Sequence, residues 1–447
     1  MVDKIGLRMS GRWPAIACLV ALLALSVRDA EAGRNRWTAN GPASVVNVLV
    51  PHPQEEGVLY AGGEEGFYQT ADGGLTWVGT GEAVRGRNVL SLAVDPEDGQ
   101  RIYAGLNVGL FLSADGGSTW NAVQGPGSGV LSVAVSPVAG DRVYAGTFGR
   151  GIFVSDDRGE SWSPGGVEIA AEMVFAIAAA AVDLQTVYAG TADGFFTSTD
   201  GGASWEALGV ELAGQSVRSI HVSAVDPNLI LVGVFGGGVY RSRDGGESWD
   251  NLNSGLGDLG VRSLAVEIGS GRQAGDEGQL TGEPQVMYVA TSTGGFYRTV
   301  DGGANWLPVN SGLPGLAARA VLFDPGEPNR VLGAGMAAGV WEIDFDPEPQ
   351  IEMSAASVDF GEVDVGVLSI REVTLSNTGT ADLIVLELEL AQTGLSVGPA
   401  PPFAIPPDQA RAVEVRFLPQ REGELAGTLV VRSNDPDEPE VEVAING

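Results

Sequence analysis

Three arginines occupy matching points of a long internal repeat. Arg218, Arg262 and Arg319 each directly follow the first apolar residue (Val217, Val261, Ala318) of a short strand-like run. A guanidinium is a planar fork of donors that fits a carboxylate, so three of them at one rim would recognise an acidic group or acidic peptide segment. Leu90, Leu131 and Phe175 take the same place in other repeats, while Glu64, Glu65, Arg150, Asp193 and Phe235 fall in loops expected at the same end. The competing role for the arginines is ion pairing with local Asp or Glu between neighbouring repeats.

Other chemistry is thinly represented. The two histidines stand in different settings: His52 precedes a proline where other repeats carry Asp95, Asp226 or Asp324, and His221 replaces Ala93, Ala134 or Ala265. These read as a turn residue and a satisfied core histidine, and with Cys18 as the single cysteine they leave no zinc or copper ligand set and no cofactor. Glu64 and Glu65 could mimic one partner of a catalytic acid pair, but an adjacent surface pair is ordinarily just solvated. No catalytic residue is assigned.

The repeat positions these groups. Ser/Thr-x-Asp-x-Gly-x-x-Trp occurs six times, at Asp72, Asp115, Asp157, Asp200, Asp244 and Asp301, closing on Trp77, Trp120, Trp162, Trp205, Trp249 and Trp306. The first five tryptophans are 42 to 44 residues apart, the length of a four-stranded propeller blade. A short aspartate accepts backbone N–H groups across its own turn, glycine supplies positive φ, and tryptophan buries a large ring. A second-strand signature recurs at Leu59-Tyr60-Ala61-Gly62, Ile102-Tyr103-Ala104-Gly105, Val143-Tyr144-Ala145-Gly146 and Val187-Tyr188-Ala189-Gly190, then more loosely at Leu231, Tyr288 and Leu332. That makes seven units. The last, from Ala318 to Ile343, lacks a box, and Arg36-Trp37-Thr38 near the N-terminus supplies the missing outer strand and closes the ring; an open or six-bladed array is the alternative.

The six boxes resemble those of sialidases, xyloglucanases, sortilin-type receptors and photosystem II assembly factors, families in which the box is structural. The resemblance therefore implies turn-forming aspartates. A sialidase would carry an Arg-Ile-Pro segment and a tyrosine nucleophile, but no Arg-Ile-Pro exists here, and all eight tyrosines fall at repeat positions that packing explains. The xyloglucanase family places its two catalytic carboxylates on two facing propellers, and only one propeller is expected in this chain. Organisation around a lone propeller is nearest the assembly factors, which lack a second domain of the kind described next.

After Asp346-Pro347-Glu348-Pro349 the period disappears. Val413, Val415 and Phe417 alternate with Glu414 and Arg416, the pattern of a half-buried strand, and roughly seven such strands make a small sandwich over 350–447. Asp359-Phe360-Gly361, Ser376-Asn377-Thr378-Gly379, Phe417-Leu418-Pro419 and Ser433-Asn434-Asp435-Pro436 resemble the immunoglobulin-like domains of the abnormal-spindle and Hydin type, which implies a spacer or adhesion module of an exported bacterial protein.

The expected plan of the 447 residues is all-β: a signal peptide over 1–32, a seven-bladed propeller over 33–346, a linker over 347–349 and the sandwich. Lys4, Arg8 and Arg12, the apolar run Trp13 to Val27 and the Ala30-Glu31-Ala32 cleavage point direct the chain to the periplasm or the exterior. Gly269 to Glu283 reads as a surface loop of blade six. With 57 acidic against 25 basic residues, the net charge of −32 disfavours nucleic acid or an anionic membrane as partner. The function expected is non-catalytic binding of an extracellular protein, peptide or polysaccharide on the propeller face, in an unknown oligomeric state. Glycoside hydrolysis and a purely structural envelope or adhesion role are the alternatives.

Overall fold

The Val-Tyr-Ala-Gly runs form strands buried on both faces, as Ile102–Leu106 and Val187–Thr191 show. A strand with no solvated face needs sheets on either side, and the repeat supplies them. The glycine of the run is what lets the sheets approach: a Cβ on Gly62 would lie 2.5 Å from the Val89 side chain of the next sheet, and one on Gly146 2.8 Å from Val174. In this computed structural model, residues 37–447 are described apart from 128, 182, 268–283, 326, 328, 336–338, 345–348, 380–382, 391, 393, 407–408 and 436–437. The expected signal peptide and the Gly269 to Glu283 loop lie outside the described residues.

Seven antiparallel four-stranded sheets follow one another as the blades of a propeller. Their innermost strands are Val46–Pro51, Val89–Val94, Val130–Ser136, Val174–Ala179, Ser216–Val222, Val261–Val266 and Ala318–Phe323. Blades one to six each run from inner to outer strand in chain order, whereas the seventh takes its fourth strand from the N-terminus: Thr38–Ala39 pairs antiparallel with Val340–Asp344, Thr38 opposite Glu342 and Ala39 opposite Trp341. The ring is thus closed as the sequence implies.

Outer-strand tryptophans bind blade to blade. Trp37 is 2% exposed and stacks on Phe296 of blade six with ring centroids 4.5 Å apart, its indole N–H donating to the Val309 carbonyl at 2.5 Å. Phe67 meets Trp120 edge to face between blades one and two, and Phe195 meets Trp249 in the same way between blades four and five. Ring closure also carries a buried polar cluster, in which Arg330 donates to Asp324 at 2.6 Å and to Glu342 at 2.9 Å, while Asn40 donates to the other Glu342 oxygen at 2.5 Å. The N-terminal segment is therefore fixed by an aromatic stack and an amide-to-carboxylate bond as well as by two strand residues.

The chain divides into two compact units at Asp344 and Phe345. The second is an immunoglobulin-like sandwich of a four-stranded and a five-stranded sheet among the described residues. It has nine strands where roughly seven were expected, and three of the nine, Ile351–Met353, Ser357–Asp359 and Phe403–Ile405, are only three residues long and too short to display a period. Val373, Val413, Val415, Leu429, Val431 and Val443 fill its core. The turn residues named above tie its edges: the Asn377 amide donates to the Ile405 carbonyl at 2.8 Å, and Asp435 accepts the Ile351 N–H at 2.7 Å.

Candidate functional site

Every inner strand carries an irregularity at the same place. The register with its neighbour skips one residue in each blade, at Asn47, Leu90, Leu131, Phe175, Arg218, Arg262 and Arg319. A bulged residue leaves the ladder and its side chain is re-aimed. All seven are half-buried and belong to the end of the propeller that carries the second-to-third-strand turns. Aligning repeats in the sequence located the three arginines; the bulge requires the partner strand to be seen.

Three successive blades so present guanidinium groups, flanked by aromatic rings on one side and an amide on the other. The Arg218 guanidinium carbon lies 3.5 Å from the Phe175 ring centroid and 5.3 Å from that of Phe235; Arg262 lies 5.2 Å from Phe235 on its other flank. Arg319 donates to the Asn47 side chain, whose amide is held by Asn88 at 2.7 Å and the Val89 carbonyl at 2.8 Å. Burial, followed by the charge of Arg262, pushes Arg218 down to about 10; burial and then Arg319 also lower Arg262, opposed by Asp258. Among the described residues neither Arg218 nor Arg262 forms an ion pair with an acid. Only Arg319 has one, a 4.0 Å approach to Glu64. Pairing between blades thus accounts for one of the three.

The remaining loop residues scatter. Phe235, 40% exposed, lies between two arginines, and Glu64 sits at the end of the row beside Arg319. Glu65 does not join it: it lines a separate cavity with Arg85, Tyr68 and Trp77. Arg150 donates to the Pro126 carbonyl at 2.8 Å and covers Phe153, so it fastens its own loop to a connector. The Asp193 carbonyl accepts the Gly214 N–H at 2.9 Å. Asp258, which sequence reasoning missed, accepts N–H bonds from Gly260, Thr293 and Gly294, and these hold it down at about 2 against the opposing effect of burial.

The boxes lie at the opposite end and act on their own turns. In the third, Ser155 donates to Asp157 at 2.7 Å and accepts the Gly159 N–H, while Asp157 accepts both the N–H and the hydroxyl of Ser161, which lower it to about 2. Asp72, Asp115, Asp200 and Asp244 accept the same N–H and hydroxyl bonds, and Asp301 accepts the N–H and the side-chain amide of Asn305. Trp77, Trp120, Trp162, Trp205 and Trp249 donate to the glycine carbonyl of their own box; Trp306 instead reaches Leu252 of blade five at 2.7 Å. Box glycines also tie back to first-to-second-strand loops, as Gly116 does to the Gln100 carbonyl. His52 mimics the aspartate it replaces, its Nδ1 accepting the Gln54 and Glu55 N–H groups at 3.1 and 3.0 Å, just as Asp95 accepts those of Glu97 and Asp98. His221 departs from expectation: it has no side-chain hydrogen bond among the described residues, and burial pushes it down to about 4.

A BNR/Asp-box repeat model matches residues 153–164, and a HYDIN/CFA65/VesB-like Ig-like domain model matches residues 349–447. No curated protein matches the chain. Among solved structures, the GH74 xyloglucanase from Xanthomonas campestris is 19% identical with a TM-score of 0.53, over 69% of this chain and 53% of that one. YCF48 bound to D1 peptide is 17% identical with a TM-score of 0.52, over 70% of this chain and 98% of that one. The extracellular domain of a putative hybrid two-component system from B. thetaiotaomicron is 13% identical with a TM-score of 0.54, over 80% and 44%. The likeness is one of fold. This chain spans only a little over half the length of the GH74 structures it matches, 59% for the enzyme from Niastella koreensis. No helix among the described residues is long and apolar enough to cross a membrane.

Proposed function

We propose that the protein is an exported, non-catalytic binding protein whose propeller face takes a carboxylate-bearing ligand, an acidic peptide segment, on Arg218, Arg262 and Arg319. One observation carries this reading: Arg218 and Arg262 flank the Phe235 ring, half-buried and with no ion pair to an acid among the described residues, and only Asp258 acts on Arg262 from a distance. Unpaired charge in a partly dry site costs stability, and such groups concentrate where a ligand completes them. Phe175 and Phe235 lie against the Arg218 guanidinium, and Phe235 also against that of Arg262; Arg218 gives its Nε–H to the Ser216 hydroxyl at 2.9 Å and keeps its terminal N–H groups for a ligand. YCF48, by its printed name, binds a peptide on a propeller that this chain covers almost completely.

Fluorescein-labelled hexaglutamate, with hexaglutamine as control, tests the reading by anisotropy on the mature protein. Saturable binding of the glutamate peptide alone, lost about tenfold or more in R218Q/R262Q/R319Q with its melting temperature preserved, is expected. Equal binding of both peptides, or affinity untouched by the triple substitution, would rule it out.

A further inference from the structure

The connectors that bring the chain from one blade's outer strand to the next blade's inner strand share a feature. Five residues before the first buried inner-strand position stand Val84, Ile169, Leu212, Leu256 and Leu313 in blades two, four, five, six and seven. The first four pack in the same clusters as Trp120, Trp205, Trp249 and Trp306, so an aliphatic side chain plugs the space beside each blade's outer-strand tryptophan. Blades one and three have glycine there. In blade three Gly125 fills the gap with its own backbone, since a Cβ on it would lie 2.6 Å from Trp162. In blade one Gly41 is drawn instead against Val340, where a Cβ would lie 2.1 Å from the Val340 nitrogen. No aliphatic residue of this connector joins the cluster around Trp77.

A cavity of about 480 Å³ remains, bounded by Ala43 and Ser44 on the connector, Tyr68 and the half-buried Trp77 on the blade, and the exposed Glu65 and Arg85 above. That volume suits a small-molecule site, ~300–1,000 Å³. Two amphipathic aromatics offer flat apolar surface with a polar tip. The rim carries an acceptor in Glu65 and a donor in Arg85, and the Ser44 hydroxyl donates to Tyr68 at 3.3 Å, which leaves the Tyr68 O–H as a second donor. An uncharged ring with one C–H face and hydroxyls around its edge satisfies all of these together. A cationic ligand would meet Arg85, and an anionic one Glu65.

We infer that this unplugged space beside Trp77 is a binding site for a neutral pyranose, such as one unit of a hexose polysaccharide. The site is independent of the arginine row.

Calorimetric titration of the mature protein with neutral hexasaccharides of β-1,4-glucose, β-1,4-mannose and α-1,4-glucose tests it. At least one should bind saturably. Ala43→Leu, which fills the cavity from its wall, and the surface pair E65Q/R85Q should each weaken that binding about tenfold or more without lowering the melting temperature. R218Q/R262Q/R319Q should leave it unchanged. Binding of none of the three saccharides overturns the inference, as does binding that survives both Ala43→Leu and E65Q/R85Q.

Discussion

The Arg218 guanidinium lies 3.5 Å from the centroid of the Phe175 ring, with each residue at the bulge of its own inner strand in adjacent blades. A cation over an aromatic face gains about 0.5–2 kcal/mol, which offsets part of what desolvation costs. Burial still brings the group to about 10, so the folded protein holds this charge less readily than the unfolded chain does.

Arg218→Met should consequently raise the melting temperature by about 2 °C, since removing an unpaired, half-buried charge relieves that cost even as the ring contact is lost. The same variant should bind hexaglutamate more weakly. Calorimetric melting with anisotropy on one preparation checks both, and a variant that melts clearly lower would mean that Arg218 is structural.

Two acid-sensitive windows should separate. His221 has its folded value lowered to about 4 from an ordinary 6.5, so its contribution is fully present above pH 6.5 and is lost as pH falls toward 4. Asp157, Asp200 and Asp244 lie at about 2 instead of 3.8, so theirs persists above pH 4 and disappears between 4 and 2. Melting temperature against pH should fall in both intervals. His221→Leu should flatten the upper one alone, and Asp→Asn at the three boxes the lower one.

Closure of the ring predicts that Trp37→Ala destabilises the propeller by about 3–5 kcal/mol, since it empties a fully packed indole site and breaks the bond to Val309. Urea unfolding followed by tryptophan fluorescence measures this. A cost below about 1 kcal/mol would show that the N-terminal strand is dispensable.

Glu342→Ala takes from the buried Arg330 one of the two carboxylates it donates to, leaving Asp324, and frees the Asn40 amide. Breaking one side of a buried ion cluster costs about 3–5 kcal/mol. Exchange of the Thr38 and Ala39 amides, read by mass spectrometry, should quicken before the other blades open.

Much of this was legible because a period of about 43 residues makes each blade a control for the others. The role of Trp37 followed from a missing outer strand, the shared place of the arginines from alignment, and the turn role of His52 from the aspartates at its position. What stayed hidden depends on partners. Gly41 and Gly125 are the same residue at the same repeat position, and only their neighbours, Val340 in one case and Trp162 in the other, decide that one leaves a cavity. Glu64 and Glu65 are adjacent in sequence, yet a tight turn sends them to different sites. His221 looked like a histidine needing a bond, and the inner strand provides none to its ring.

The seven bulges bear on how such a protein changes over time. A residue paired in a ladder is answerable to the strand beside it, whereas each bulged position is released from that obligation while the flanking pairs hold register. The mouth of the ring is therefore a set of seven side chains answerable to one another, as Phe175 is to Arg218 and Asn47 to Arg319, and not to the ladders beneath them. Leucine, phenylalanine, asparagine and arginine already occupy it, so a new specificity can arise by exchanging neighbouring pairs at the mouth while the ladders stay in register.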